Sequence, residues 1–501
     1  MISSVDIFMG SVSRILPELV LIATACVQFL AGPFLVTSDG QAPAGLRHRW
    51  AGLTLTALLF SLVLWNSAGA PAGAANMLYS PFQIDGLVWF IRGLTVAVGI
   101  VLLLLSWNQI PDNLAAETHG CLLITLAGVS LVSIMNDLVY LFLALELVSI
   151  PTYVLMYLSR KDAVAQEAVT KYFLLSVFSS ALLLFGFSYL YGVTGSTHLL
   201  AIQSGLQSAG SVGVPVVLVV PTLLIVAALG FRLSAVPFHF YAPDVFQGTS
   251  YLGAALLAVV PKIVGVAAII RIFGLLDGAG VLVQIGAPAL WIIAAITMLV
   301  GNVFALLQTN IKRLLAYSSI AHAGYLLVGL AIEQNRSAPL AGVQAVLFYL
   351  AVYGAMTAGV FAILVYLNRA DRSMETVSDL AGLSQTHPAA ALMTAIFLFS
   401  LTGLPPTAGF LGKLNLFMAA WSEGTSSGRW LAGFMAANAA IGAWYYLRLV
   451  ATMYLDPPAK PVDRSYDVPS FVGVVLCAAA VLGLFAVPHW LWQWLATVAA
   501  V

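Results

Sequence analysis

Apolar stretches of ~18 residues or more recur along almost all of this 501-residue chain, and each is long enough to cross about 30 Å of hydrocarbon as a helix. The pattern predicts about fourteen of them: 15–36, 50–68, 86–107, 119–135, 137–158, 169–192, 213–232, 251–275, 286–305, 311–331, 339–367, 388–417, 430–454 and 469–495. Inside a bilayer a segment has no water to bond its backbone, so runs of this length must close their own hydrogen bonds as helices. An all-α polytopic membrane bundle is therefore expected. With 61% hydrophobic residues, 8% charged residues and a mean hydropathy of +0.99, the chain lacks the polar residues to cover a water-soluble surface, which excludes a soluble enzyme.

The first apolar run is preceded by Asp6 and Arg14 and contains Glu18, so it reads as a retained helix rather than a signal peptide. Basic residues stay on the cytoplasmic side of short loops. Arg47, Arg49, Arg160, Lys161, Lys312, Arg313, Arg369, Arg372, Lys460 and Arg464 fall after odd-numbered spans, whereas little beyond Arg336 and Arg429 falls after even ones. Both termini are thus expected on the non-cytoplasmic side. A formal net charge of +0 and the lack of a basic or acidic tail give no reason to expect a nucleic-acid partner. Cys26, Cys121 and Cys477 stand far apart with no CxxC, and no dinucleotide or P-loop motif occurs, so any redox chemistry is expected on partners. The Asn335-Arg336-Ser337 triplet matches a glycosylation acceptor by chance composition.

Charges inside the apolar runs are the informative exceptions, because each costs about 2.5–3.5 kcal/mol at a helix centre on insertion scales. Glu146, in LFLALELVSIP, sits near mid-membrane, and Arg232 is its natural partner by charge; the alternative is a carboxylate that merely packs helices. Lys262 follows Pro261, which removes a backbone hydrogen bond and bends the helix where the ammonium sits. It lies roughly 15 Å from either end of its span, too far to snorkel. Lys413 is similarly alone. Lys171 lies near a helix start and either snorkels or pairs with Glu146. Glu18 and Arg448 are first read as packing or interface groups.

Two segments mix Gly, Pro and an ionisable group at membrane depth, GFRLSAVPFHFYAPDVFQG at 230–248 and SLTGLPPTAGFLGKLNLF at 400–417. Non-helical backbone is tolerated there only when buried in protein or lining a cavity, and paired interruptions in two halves of a transporter point to its ion path. This suggests an N-terminal unit at 1–110, repeats at 111–278 and 279–458, and a final helix at 459–501. His239 lies in the first interruption and His322 shares a polar stripe with Ser318 and Ser319. Each is a candidate proton relay, or a hydrogen-bonded packing residue; no other feature supports a haem.

GFRLSAVPFHFYAPDVFQG, PKIVGVAAIIRIF, QTNIKRLLAYSSIAHAGYLLVG and GLPPTAGFLGKLNLF, with ILPELVLIA and NDLVYLFLALELVSIPTYVL before them, resemble the subunit N family of proton-pumping NADH:quinone oxidoreductase, respiratory complex I. The PDVFQG form is unlike the LHxWLPDAH of sister subunits L and M. The resemblance runs from about residue 80 to 455 and implies an antiporter-like membrane-arm subunit with helices seven and twelve broken and two inverted five-helix repeats. It implies a hydrated charged axis at Glu146, Arg232, Lys262 and Lys413 with His322 beside it. It further implies that this chain carries no flavin, iron–sulfur cluster or quinone, those cofactors being held by partner subunits. Expected neighbours are the sister subunit M, the small subunit K and lipids. Composition and the lack of a transit peptide favour a bacterial inner membrane.

One departure from that family matters. Its usual helix-seven lysine is Arg232 here, and a guanidinium does not give up its proton in a protein whereas a desolvated ammonium does. The QGAP of the family is QGTS at 247–250. A subunit of a multi-subunit Na+/H+ antiporter or of a membrane-bound hydrogenase is the second reading, since these share fold and lysines. A stand-alone solute transporter is the third, and it normally needs more polar variety at mid-membrane.

Overall fold

Where hydrocarbon leaves the backbone no other partner, the apolar runs of this chain close into helices. The computed structural model describes residues 12–37, 39–67, 80–160, 162–209, 216–276, 280–332, 341–368, 374–458 and 467–498. Lys161, Asn335, Arg336, Ser337, Arg369, Arg372, Lys460 and Arg464 lie outside the described residues, as does Asp6.

The helices are α1 Leu16–Ala31, α2 Leu46–Ser67, α3 Gly86–Ser106, α4 Ala115–Ile134, α5 Leu138–Ser159, α6 Ala163–Thr194, α7 Leu199–Ala209, α8 Val219–Leu233, α9 Ala242–Gly248 and α10 Tyr251–Leu276. There follow α11 Ala287–Leu306, α12 Ile311–Ala331, α13 Ala341–Leu367, α14 Leu383–Thr386, α15 Pro388–Thr402, α16 Ala408–Ser422, α17 Ser426–Leu455, α18 Val468–Ala486 and α19 Pro488–Val498. Ten helical segments among the described residues have the length and hydropathy of a membrane crossing, and α8 and α15 are shorter apolar helices. No strand occurs among the described residues, only isolated bridges such as Asp137 to His198 and Asn310 to Thr376.

Two helices form the centre. The most apolar windows of α10 and α12 are 89% and 94% buried, against 33% for α18, which lies at the periphery of the bundle. Close approach between α11 and α12 depends on glycine: a Cβ on Gly301 would meet the Ala321 backbone nitrogen at 2.5 Å, and one on Gly324 the Met298 nitrogen at 2.8 Å. Small residues of this kind let helices pack where no water drives them together.

Both interruptions are real breaks. α8 ends at Ser234, in left-handed conformation with φ 58°, where Ser234 N–H bonds Phe231 O at 2.9 Å and Ala235 N–H bonds Gly230 O at 2.8 Å. α15 ends at Gly403, φ 90°, whose N–H bonds Phe399 O at 2.9 Å. The chain resumes as α9 and α16. The stretch 388–417, read from sequence as one span, is thus the pair α15 and α16, and 469–495 is α18 and α19, divided before Pro488 because proline cannot supply the next helical N–H.

Candidate functional site

Glu146 lies on α5 and Arg232 in the last turn of α8, and the break after α8 leaves the guanidinium free to reach across. Arg232 Nη2 lies 3.2 Å from Glu146 Oε1, while Nη1 donates to Leu145 O at 3.3 Å and to Ser149 Oγ in a short hydrogen bond. Ser180 of α6 donates to the same carboxylate oxygen at 2.5 Å. Planar and always charged, Arg232 is held at several points, which suits it to a fixed partner for an acid rather than a proton carrier.

Lys262 sits mid-way along α10, 1% exposed, and among the described residues no acid pairs with it. Lys413 occupies α16 just past the second break. Its Nζ donates to Leu401 O at 2.7 Å and Thr402 O at 3.0 Å, taking up carbonyls that the end of α15 leaves without helical partners. It also lies 4.9 Å from the centre of the Tyr325 ring.

His322 of α12 is enclosed in the bundle, 1% exposed. Nδ1 makes a short hydrogen bond to Tyr349 Oη, and Nε2 lies 3.0 Å from Tyr446 Oη. Tyr446 in turn hydrogen-bonds Ser318 Oγ at short range. Tyr353 bonds Ser319 Oγ at 2.8 Å and donates to Ala258 O of α10 at 3.0 Å. Tyr325, packed edge-on against the imidazole, meets Asn302 Nδ2 at 3.2 Å, and Asn302 Oδ1 accepts from Tyr445 at 3.1 Å. Sequence reading missed these five tyrosines. Their signal was an i,i+4 pair, Tyr349 and Tyr353, in an apolar helix, since a buried phenol needs a partner for its hydroxyl.

Lys171 does not pair with Glu146. α6 begins at Ala163, earlier than the expected 169, so Lys171 lies two turns inside the helix, half-exposed, bonded to Glu167 at 2.7 Å and to Asp244 of α9 at 3.0 Å. What α6 brings to Glu146 is Ser180, nine residues or about 13 Å further along the helix. Arg313 reaches the same Asp244 at 2.7 Å, so the three form a surface cluster apart from the axis. His239 lies half-buried in the first break, with no hydrogen bond to another candidate among the described residues. Arg448 caps α11, donating to Gln308 O at 2.8 Å, and Glu18 forms a buried two-pronged pair with Arg92 at 2.7 and 2.8 Å.

A family model described as NADH:quinone oxidoreductase/Mrp antiporter, TM, matches residues 135–439, which hold Glu146, Arg232, Lys262, His322 and Lys413. NADH-quinone oxidoreductase subunit N of Rhodospirillum rubrum is 34% identical over 472 residues, 94% of this chain and 93% of its own length. The chain belongs to the subunit N family. NADH-quinone oxidoreductase subunit N 1 of Solibacter usitatus is 35% identical over 481 residues, 95% of each chain. A solved chain of respiratory complex I from Thermus thermophilus with bound aureothin superposes with TM-score 0.76 at 27% identity, covering 94% of this chain and 97% of that one. Full-length likeness to subunit N narrows a family description that spans the antiporters as well.

Proposed function

We propose that this chain is a proton-translocating membrane-arm subunit of NADH:quinone oxidoreductase, driven by quinone reduction elsewhere in the assembly and carrying no redox chemistry itself. The observation that supports it most is a set of ionisable groups inside an apolar helical bundle, half-buried Glu146 paired with buried Arg232, together with buried Lys262, His322 and Lys413, with Arg232 and Lys413 at the two helix breaks. Buried charge without a structural partner is costly, and such residues mark proton or ion paths. In this reading the Glu146–Arg232 pair is made and broken, Lys262 is the central carrier, Lys413 is the carrier at the exit or the neighbouring subunit, and His322 links the lysines. A desolvated ammonium releases its proton far more readily than a solvated one, which suits the lysines to carrying and leaves the arginine to switching.

The remaining proposals follow from the same membership. The N-terminal unit 1–110 precedes inverted repeats at 111–278 and 279–458, and 459–501 closes the bundle. Sister subunits M and K flank the chain in a bacterial inner membrane, both termini face away from the cytoplasm, and flavin and iron–sulfur clusters sit on other subunits. The test is Lys262→Ala in the assembled complex. Protons moved per NADH oxidised should fall; an unchanged ratio would remove Lys262 from the path. Mild-detergent purification tests the assembly: flavin- and cluster-bearing subunits should co-purify, whereas recovery with antiporter subunits alone would favour the Na+/H+ antiporter reading.

A further inference from the structure

Both ring nitrogens of His322 end on phenol hydroxyls, an arrangement that packing does not require. A neutral imidazole accepts at one nitrogen and donates at the other. Tyr349 and Tyr446 hold those two nitrogens, and each phenol oxygen both donates and accepts. Beyond Tyr446 the chain continues to Ser318, another hydroxyl. On the other side, Tyr349 packs against the helix that carries Lys413: a Cβ on Gly412 would meet Tyr349 Cδ2 at 2.6 Å. Every member is buried, so bulk water offers no parallel route.

We infer that Tyr349 and Tyr446 are proton-passing residues, and that Ser318, Tyr446, His322 and Tyr349 form one hydrogen-bonded relay that ends beside the helix carrying Lys413. The inference rests on the proposed proton-translocating function and adds the phenols to it. A proton arriving on the Tyr446 oxygen releases that hydroxyl's own proton to Nε2. The Nδ1 proton passes to the Tyr349 oxygen, whose hydroxyl proton leaves toward Lys413. Each oxygen and the ring gain one proton and lose one, and the imidazole ends as its other tautomer. Rotation of the hydroxyls and reorientation of the imidazole ring reset the chain, because return of the ring proton along the same bonds would cancel the transfer.

The same chemistry selects the ion. Among the described residues no carboxylate bonds any member of this relay, so a bare metal cation entering it would stay buried without a paired acid, which is prohibitive. Protons need only the donor and acceptor pairs already present.

The test uses the intact complex in proteoliposomes, measuring protons moved per NADH oxidised in H2O and in D2O. Tyr349→Phe and Tyr446→Phe keep the rings and remove one oxygen each, and both should reduce the ratio to the level of Lys262→Ala. Should a Phe variant fail to assemble, Ser318→Ala takes its place, with a lowered ratio and a changed isotope effect expected. A wild-type ratio and isotope effect in the Tyr349 and Tyr446 variants, alongside a loss in Lys262→Ala, would overturn the relay while leaving the proton path standing. Loss in none of them would overturn both. A sodium requirement for pumping would overturn the ion selectivity.

Discussion

At the scale of single residues, what distinguishes the ionisable groups is how each is partnered. Arg232 is tied to a carboxylate, a hydroxyl and a carbonyl, whereas among the described residues no acid pairs with Lys262. Arg232→Lys keeps one positive charge near Glu146 but loses the planar fork, so turnover coupled to pumping should be retained in part, whereas Arg232→Ala strands Glu146 and should abolish it. Equal pumping in all three proteins would take the pair out of the mechanism. Lys171 provides the contrast. Its partners are Glu167 and Asp244 on a half-exposed face, so Lys171→Ala should leave protons moved per NADH unchanged and change stability little, as exposed pairs do. A fall in the pumping ratio in that variant would return Lys171 to the axis. Glu146, Arg232, Lys262 and Lys413 were legible as isolated charges inside apolar sequence, and it was the resemblance to subunit N that implied an axis with His322 beside it. The partner of Lys171 was not legible, because a shift of the helix start by two turns changes which residue faces the acid.

At the scale of elements, the breaks are built so that the end of one half-helix holds the chemistry of the next. The carbonyls that α15 leaves open at Leu401 and Thr402 are the ligands of Lys413, so terminating the helix and seating the ammonium are one event. Gly403 makes the turn possible. An alanine there would hold φ 90° at a cost of about 1–2 kcal/mol, and its Cβ would meet Lys413 Cδ at 3.0 Å. Gly403→Ala should therefore lower both thermal stability and pumping. Loss of stability with a normal pumping ratio would show that the Lys413 seat tolerates displacement. The sequence pattern of Gly and Pro announced both breaks, since neither residue continues a helix. It could not show that 388–417 separates into two helices whose ends meet at a lysine, because that depends on where the chain goes after the break.

At the scale of the whole molecule, the buried pairs clamp the N-terminal helices to the core. Glu18 of α1 holds Arg92 of α3, and Asp85, the cap of α3, holds Arg271 of α10 at 2.5 and 2.9 Å. Removing one partner from such a pair costs about 3–5 kcal/mol, because the other charge stays buried. Glu18→Gln and Asp85→Asn should each lower the melting temperature of the purified complex, and an unchanged midpoint would show that α3 is held by packing alone. Hydropathy by itself determined that this is a helical membrane protein, because continuous apolar runs of this length close their own backbone bonds only as helices, and isolated charges stood out within them. Tertiary structure decided the rest. Which carboxylate meets which cation, and that four tyrosines from three helices pack around His322, depend on residues up to 186 positions apart meeting in space, and no local period in the chain encodes that.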